Sequence, residues 1–287
     1  MKNIIMQASK FVTDKLYNVN MIGDKSVFEQ KRLLIIANHP SFLDGILLGL
    51  YLPVKPVFLV HTTVKERPIF RQFAKMVDTF EVDPYSPFAI KSIIRLLESG
   101  RPVVIFPEGR LTVTGGLMKV YPGAAFAAAK TNATVVSVTI DGAEFSKVSR
   151  LQQVLPTTYF PKITLTINPP FSLKMPEVGS AKEKRAFLGE EMRKHLQFAL
   201  FNKVKPKSLY NAFIMGMNNY GADTPILVDV KRPNKPYAYG EIFQQIQGLR
   251  VLLKDKIKND KRIGVFLPNV STAVSTIYAL ATKNIAL

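Results

Sequence analysis

The run Leu33-Leu-Ile-Ile-Ala37, unbroken by any polar residue, constrains the fold more than any other stretch of the chain. A short apolar run rich in β-branched residues reads as a buried strand. Asn38-His39-Pro40 ends it, and the second apolar run, 46–51, reads as a helix. His39 is thereby placed at a strand end and Asp44 in the first turn of the helix. On one continuous helix this spacing would separate the side chains by about 140°, at about 100° per residue. Across a strand-to-helix turn the chain folds back and brings imidazole and carboxylate together. A carboxylate on one ring nitrogen fixes the tautomer and leaves the other nitrogen to take a proton. Ser41-Phe-Leu-Asp44 also reads as a capping box, with Ser41 capping the helix and Asp44 reaching back to its backbone amide. On that second reading His39 is a structural strand-end residue. These residues alone leave both readings open.

The same grammar repeats downstream. Strands are expected at 55–60, 102–106, 134–140 and 162–167, with a short extended piece at 80–83. Helices are expected at 68–77, where Arg67, Arg71 and Lys75 share a side, and after Ser86-Pro87, where serine caps and proline fits the first turn. In that helix Ile90, Ile93, Ile94 and Leu97 keep to one face and Gly100 marks its end. Two more helices are expected at 122–130 and 182–201, the latter with Leu188, Met192, Leu196 and Leu200 on one face. Strands alternating with helices predict an α/β domain with a largely parallel twisted sheet flanked by helices. In such sheets functional groups gather at strand ends. Residues 2–19 place Ile4, Ile5, Ala8, Phe11, Val12, Lys15 and Leu16 at helical spacing. They form a basic amphipathic helix suited either to a membrane interface or to packing on its own domain.

Composition narrows the function. The 287 residues include no cysteine and three scattered histidines (His39, His61, His195), so thiolate chemistry is excluded and no metal site is expected. The formal charge of +18 favours polyanionic partners such as an anionic membrane surface or an acidic carrier. Nucleic acid would suit the charge, but no zinc finger, helix-turn-helix or aromatic RNP-like run is present, so no nucleic-acid partner is expected. No stretch reaches the apolar length of a transmembrane helix, and the N-terminus lacks a signal-peptide core, so any membrane contact is expected to be peripheral and cytoplasmic.

Phe106-Pro-Glu108-Gly109-Arg110 follows the 102–106 strand. Glycine permits close backbone approach or positive φ, arginine offers a planar fork for phosphate, and a carboxylate in apolar surroundings demands hydrogen bonds. Asn38-His39-(four residues)-Asp44, an HX4D motif, taken together with Phe106-Pro-Glu-Gly-Arg110 resembles the glycerolipid acyltransferase family over roughly residues 15–200. The longer wording, Asp44-Gly-Ile-Leu-Leu-Gly-Leu-Tyr-Leu-Pro53 and Gly100-Arg-Pro-Val-Val-Ile-Phe-Pro-Glu-Gly-Arg110, is similar to the N-terminal half of the bifunctional 2-acylglycerophosphoethanolamine acyltransferase/acyl-ACP synthetase branch. The resemblance implies a glycerol-3-phosphate acyltransferase-like fold. It also implies transfer of an acyl group from an acyl-ACP or acyl-CoA thioester to the hydroxyl of a lysophospholipid, with no cofactor, at the cytoplasmic face of the inner membrane. His39 is then the general base and Asp44 its orienting partner, with Ser41, Glu108, Gly109, Arg110 and Lys119 as substrate-binding residues. Many family members carry arginine near residue 83, where this chain has Asp83-Pro84. They often have proline in the strand that here reads Val135-Val-Ser137-Val. Phosphate binding therefore falls to Arg110, with Lys119 weaker. A lysophospholipid is favoured over bare glycerol-3-phosphate, and 1-acylglycerol-3-phosphate is the alternative acceptor. A hydrolase would need a Gly-x-Ser-x-Gly elbow, which is missing. A non-catalytic lipid-binding remnant would tolerate loss of His39.

By this reading, residues 1–201 form the acyltransferase domain and 202–221 a basic, proline-containing linker. Residues 222–287 are similar to the opening of an adenylate-forming (AMP-binding) domain, with a helix from Tyr239 and a strand over 262–269. That superfamily's phosphate-binding loop does not occur here, so ATP-dependent acyl activation is not expected, and the tail is expected to be loosely packed or partner-dependent.

Overall fold

A computed structural model of the chain describes residues 2–61, 74, 77–82, 88–202, 208–230, 232–257 and 262–282. The helix expected at 68–77, the Ser86-Pro87 cap and Asp83-Pro84 lie almost wholly outside these residues. The chain forms two compact units, Met1–Lys203 and Val204–Leu287.

The first unit is built on one sheet. Its strands are β1 (Asn20–Ile22), β2 (Leu33–Ala37), β3 (Val57–His61), β4 (Asp78–Val82), β5 (Val103–Ile105), β6 (Thr134–Asp141), β7 (Thr164–Ile167) and β8 (Phe171–Ser172). Their order is β1-β7-β6-β2-β5-β3-β4, with β8 pairing with β6. The five strands from β6 to β4 are mutually parallel. β7 and β8 run antiparallel to β6, and β1 runs parallel to β7. The fold is therefore α/β with a mostly parallel sheet. From β2 the chain passes to β3 and β4, returns to insert β5 beside β2, and then lays β6 on the other flank. The ends of β5, β2 and β6 thus lie side by side.

Every residue of β2 is fully buried, and its side chains divide by parity between the two faces. Leu33, Ile35 and Ala37 join Phe58, Val104 and the helix α2 (Asp44–Tyr51), which contributes Leu47 and Leu48. Leu34 and Ile36 join α3 (Phe88–Glu98), α4 (Pro122–Thr131) and α5 (Ala181–Asn202). Ile93 and Leu97 come from α3, while Leu188, Met192 and Leu196 come from α5. Small side chains at 124, 125 and 127–129 let α4 pack between those two helices. A strand buried on both faces needs an apolar residue at every position, and this is why β2 reads as a continuous run.

The N-terminal helix is α1 (Lys2–Tyr17). Met6, Ser9, Thr13 and Tyr17 are half-buried, whereas Phe11, Val12 and Leu16 are 64%, 52% and 41% exposed. The Tyr51 hydroxyl donates to Asp14, and the Lys10 ammonium sits 5.0 Å above the Tyr51 ring. Met6 and Tyr17 thus pack on the domain core, with Asp14 and Lys10 on Tyr51 beside them, while Phe11, Val12 and Leu16 of the expected stripe face outward and do not pack on the domain. The side chains of Ile4 and Ile5 lie outside the described residues.

The second unit holds α6 (Leu209–Tyr220), β9 (Pro225–Leu227), β10 (Tyr237–Ala238), α7 (Tyr239–Leu253) and α8 (Ser271–Ala281). Residues 209–220, read as linker from sequence, are helical. Ser208 caps them, and Phe213 is buried with Ile242, Ile246 and Ala279. The strand expected over 262–269 is not formed. Phe266 is fully exposed there, and the sheet of this unit comprises only β9 and β10 among the described residues. An apolar run becomes a strand only when a neighbour completes its hydrogen bonds.

Candidate active site

The three adjacent strand ends converge on His39. The Asn38 side chain donates to the Ile140 carbonyl and accepts from the Ile140 amide, each at 2.8 Å, tying β2 to β6 just before the histidine. His39 Nδ1 lies 2.8 Å from Asp44 Oδ2, and the Ser41 amide donates to that same oxygen at 2.9 Å. Of the capping-box reading only one half is formed: Asp44 reaches back to the Ser41 amide, but Leu43 is the N-cap residue and no side chain caps the helix, the Ser41 hydroxyl accepting the Leu43 amide instead. With Asp44 ionised its carboxylate only accepts, and Nδ1 then carries the hydrogen while Nε2 keeps its lone pair. The imidazole stacks on Phe106 at a centroid distance of 4.0 Å and an interplanar angle of 14°, which fixes the plane of the ring.

Asp44 is completely buried, while the His39 side chain is 21% exposed. Burial pushes the Asp44 carboxyl above the ordinary carboxylate range, against the pull of the His39 bond and charge and of the Ser41 amide. Its second oxygen, Oδ1, is buried with no hydrogen-bond partner among the described residues.

Glu108 follows β5 and is also buried. Its Oε1 accepts the His39 amide at 3.0 Å and its Oε2 the Met118 amide at 2.7 Å. The carboxylate therefore straps the histidine loop to the loop that follows β5. Burial pushes its acidity constant upward, opposed by those two amides. Gly109 adopts φ 63°, and a Cβ there would meet the Tyr121 ring at 3.3 Å. Thr112 donates its amide to the His39 carbonyl at 2.9 Å and its hydroxyl to the Gly116 carbonyl at 2.8 Å, closing the glycine-rich loop over the base.

A pocket opens beside these groups, with His39, Glu108, Thr112, Leu117, Glu144 and Leu200 among the residues that line it. Of the residues singled out in the sequence, His39, Asp44 and Glu108 are brought together. Ser41 is buried behind the dyad: its hydroxyl lies 3.0 Å from that of Ser146, and it accepts the Leu43 amide at 3.3 Å. Gly109, Arg110 and Lys119 are on the adjoining loop, with the Lys119 ammonium 5.4 Å above the Tyr121 ring. Sequence reasoning passed over Glu144 and Ser146, although Gly142 and Glu144 repeat after β6 the glycine and glutamate that mark the end of β5. Among the described residues no group of three or more His, Asp and Glu is placed to hold a metal ion, and no helix is long and apolar enough to cross a membrane.

Residues 18–141, which include both loops, match the family model described as Acyltransferase. A 1-acyl-sn-glycerol-3-phosphate acyltransferase from Cocos nucifera is 27% identical over 122 residues, 41% of this chain and 40% of the relative, so the match spans well under half of either protein. The crystal structure of the 1-acyl-sn-glycerophosphate (LPA) acyltransferase PlsC from Thermotoga maritima aligns with 68% of this chain and 80% of that one. The TM-score is 0.48 and the identity 19%.

Proposed function

We propose that this chain is a glycerolipid acyltransferase that moves a fatty acyl group from a thioester to the free hydroxyl of a lysophospholipid. The observation that carries the reading is the 2.8 Å bond between His39 Nδ1 and the buried Asp44, made at the edge of a pocket. An alcohol is a weak nucleophile until a base takes its proton during attack. Nε2 of His39 accepts the acceptor's hydroxyl proton as the oxygen attacks the thioester carbonyl. The tetrahedral adduct collapses, the carbon–sulfur bond breaks, and the departing thiolate takes the proton back from His39. The Asp44 charge stabilises the imidazolium between the two transfers. The thioester supplies the activation, so the scheme includes no cofactor and no acyl-enzyme.

Arg110 and Lys119 on the adjoining loop are the proposed contacts for the acceptor's phosphate, and the positive φ of Gly109 shapes that loop. The acceptor is taken to be 2-acylglycerophosphoethanolamine and the donor acyl-ACP or acyl-CoA; the basic charge of the chain suits an acidic carrier. The curated relative's name favours a second acceptor, 1-acylglycerol-3-phosphate. The outward apolar stripe of α1, with Lys15 beside it, supports adsorption to a membrane surface as the way the enzyme meets its lipid.

The test is transfer of labelled acyl groups from acyl-ACP and acyl-CoA, separately, to each acceptor, by the native chain and by His39→Ala. Loss of a general base lowers turnover by roughly a hundredfold or more. Equal rates in both proteins would refute the mechanism, and no transfer by the native chain would refute the activity.

A further inference from the structure

The base of this site is covered on one face by an aromatic ring. Phe106 stands between the end of β5 and Pro107, whose own ring restricts the residue before it to extended backbone. The Phe106 carbonyl accepts the Gly109 amide at 3.0 Å, and the Pro107 carbonyl accepts the Tyr121 amide at 2.9 Å. The Phe106 side chain packs against the core cluster that includes Leu33, Ile35 and Leu47. Backbone and side chain are thus both held in place.

The histidine is already anchored by other groups. Asp44 Oδ2 takes Nδ1 at 2.8 Å, Glu108 accepts the His39 amide, and the Thr112 amide donates to the His39 carbonyl. What a phenyl ring adds to this is electrostatic, because its faces are negative and its edge is positive. At a centroid distance of 4.0 Å and 14° between planes, the negative face lies flat against the imidazole. That arrangement gains little while the imidazole is neutral and more once it is charged, since a cation is drawn to the ring quadrupole. The titratable groups around the imidazole are Asp44, at Nδ1, and Glu108 and Glu144 in the pocket wall. Among the described residues no lysine or arginine lines that pocket. The phenyl ring also keeps water from the face it covers, where the attraction is stronger than in bulk solvent.

We propose that Phe106 is a positioning residue for the charged form of the base, the π face of its ring stabilising the His39 imidazolium between the two proton transfers. The kinetic consequence rests on the acyl-transfer reading. As the acceptor oxygen bonds to the thioester carbon, its proton passes to Nε2 and the imidazolium forms against the phenyl face. The carbon–sulfur electron pair leaves with the thiolate, which then takes the proton from Nε2. A face that favours the charged ring strengthens the base for the attack, the step in which a weak nucleophile is activated.

The experiment replaces Phe106 alone with phenylalanines carrying one, two and three ring fluorines, which keep the shape and drain charge from the face. Acyl transfer is followed as kcat/KM, which falls at each step, by roughly threefold over the series. A ring that only fills space leaves the series flat, and a flat series overturns the proposal. A second readout uses the substrate-free protein: the proton resonance of the His39 ring, identified by its loss in His39→Ala. It titrates at lower pH as fluorines are added, by roughly half a pH unit over the series. His195 is the internal control, since it stacks at 3.7 Å and 7° on Phe171, which is unaltered, and its resonance stays fixed. A His39 resonance that titrates at the same pH throughout overturns the proposal. Absence of transfer by wild type refutes the acyltransferase reading instead, and the resonance then decides alone whether the ring holds the imidazolium.

Discussion

Glu108→Ala separates a strap from a substrate contact. The carboxylate receives the His39 and Met118 amides at 3.0 and 2.7 Å, and the residue is 1% exposed. Truncation leaves two backbone donors without an acceptor, at about 1–3 kcal/mol each, so the expected loss is about 2–6 kcal/mol. Whole domains are stable by about 5–15 kcal/mol, so the change is large on that scale. With a urea slope of about 2 kcal/mol per M, the unfolding midpoint falls by about 1–3 M. Glu108→Gln retains one acceptor but turns its own NH2 toward the second amide, and loses about half as much. The chain has no tryptophan, so far-UV circular dichroism follows the transition. Acyl transfer falls in parallel, because the amide released is that of the base itself. An unchanged midpoint combined with a raised KM for the lysophospholipid would refute this reasoning. It would make Glu108 a group that touches the acceptor, as the family resemblance implies for its loop.

Two further outcomes follow from the geometry. Asp44 and Glu108 both have folded-state acidity constants above their ordinary values of 3.8 and 4.5, so in that window the folded chain binds more protons than the unfolded one. Their contribution to stability therefore rises as pH falls through the folded values, and wild type gains on Glu108→Gln during acidification. A gap that narrows in urea titrations at descending pH would contradict the sign. Replacing Phe11 and Leu16 of α1 by serine removes apolar side chains from the outward stripe. Each is worth about 1.5–3 kcal/mol when buried, so partition into vesicles containing anionic phosphatidylglycerol falls by at least tenfold while the melting temperature is unchanged. Equal vesicle binding would show that the stripe is not the adsorbing face.

The parts of the fold that were legible are those where packing demands a pattern. β2 had to be apolar at every position because both its faces are covered, and α3 had to keep Ile93 and Leu97 on one side. β1 and β8 are three and two residues long, too short for any period to register. α6 was read as linker on the strength of the basic, proline-containing stretch before it, although Tyr210, Phe213, Ile214 and Met217 keep helical spacing on one packed face and Ser208 marks its start. The 262–269 run has strand composition, but composition does not supply a neighbour. Within the site, His39 and Asp44 were readable because their chemistry is local to one turn. Glu144 and Ser146 reach the site only through the crossing that lays β6 beside β2, more than 100 residues along the chain from Ser41. Ser41, offered as a substrate contact by the family resemblance, is buried with its hydroxyl 3.0 Å from that of Ser146.

Asp44 Oδ2 both closes the turn that leads from β2 into α2 and holds the imidazole. A chain that has not yet started this helix therefore has no oriented base. Under the proposed mechanism, nascent or partly unfolded molecules, which expose the same histidine, carry no base oriented for acyl transfer.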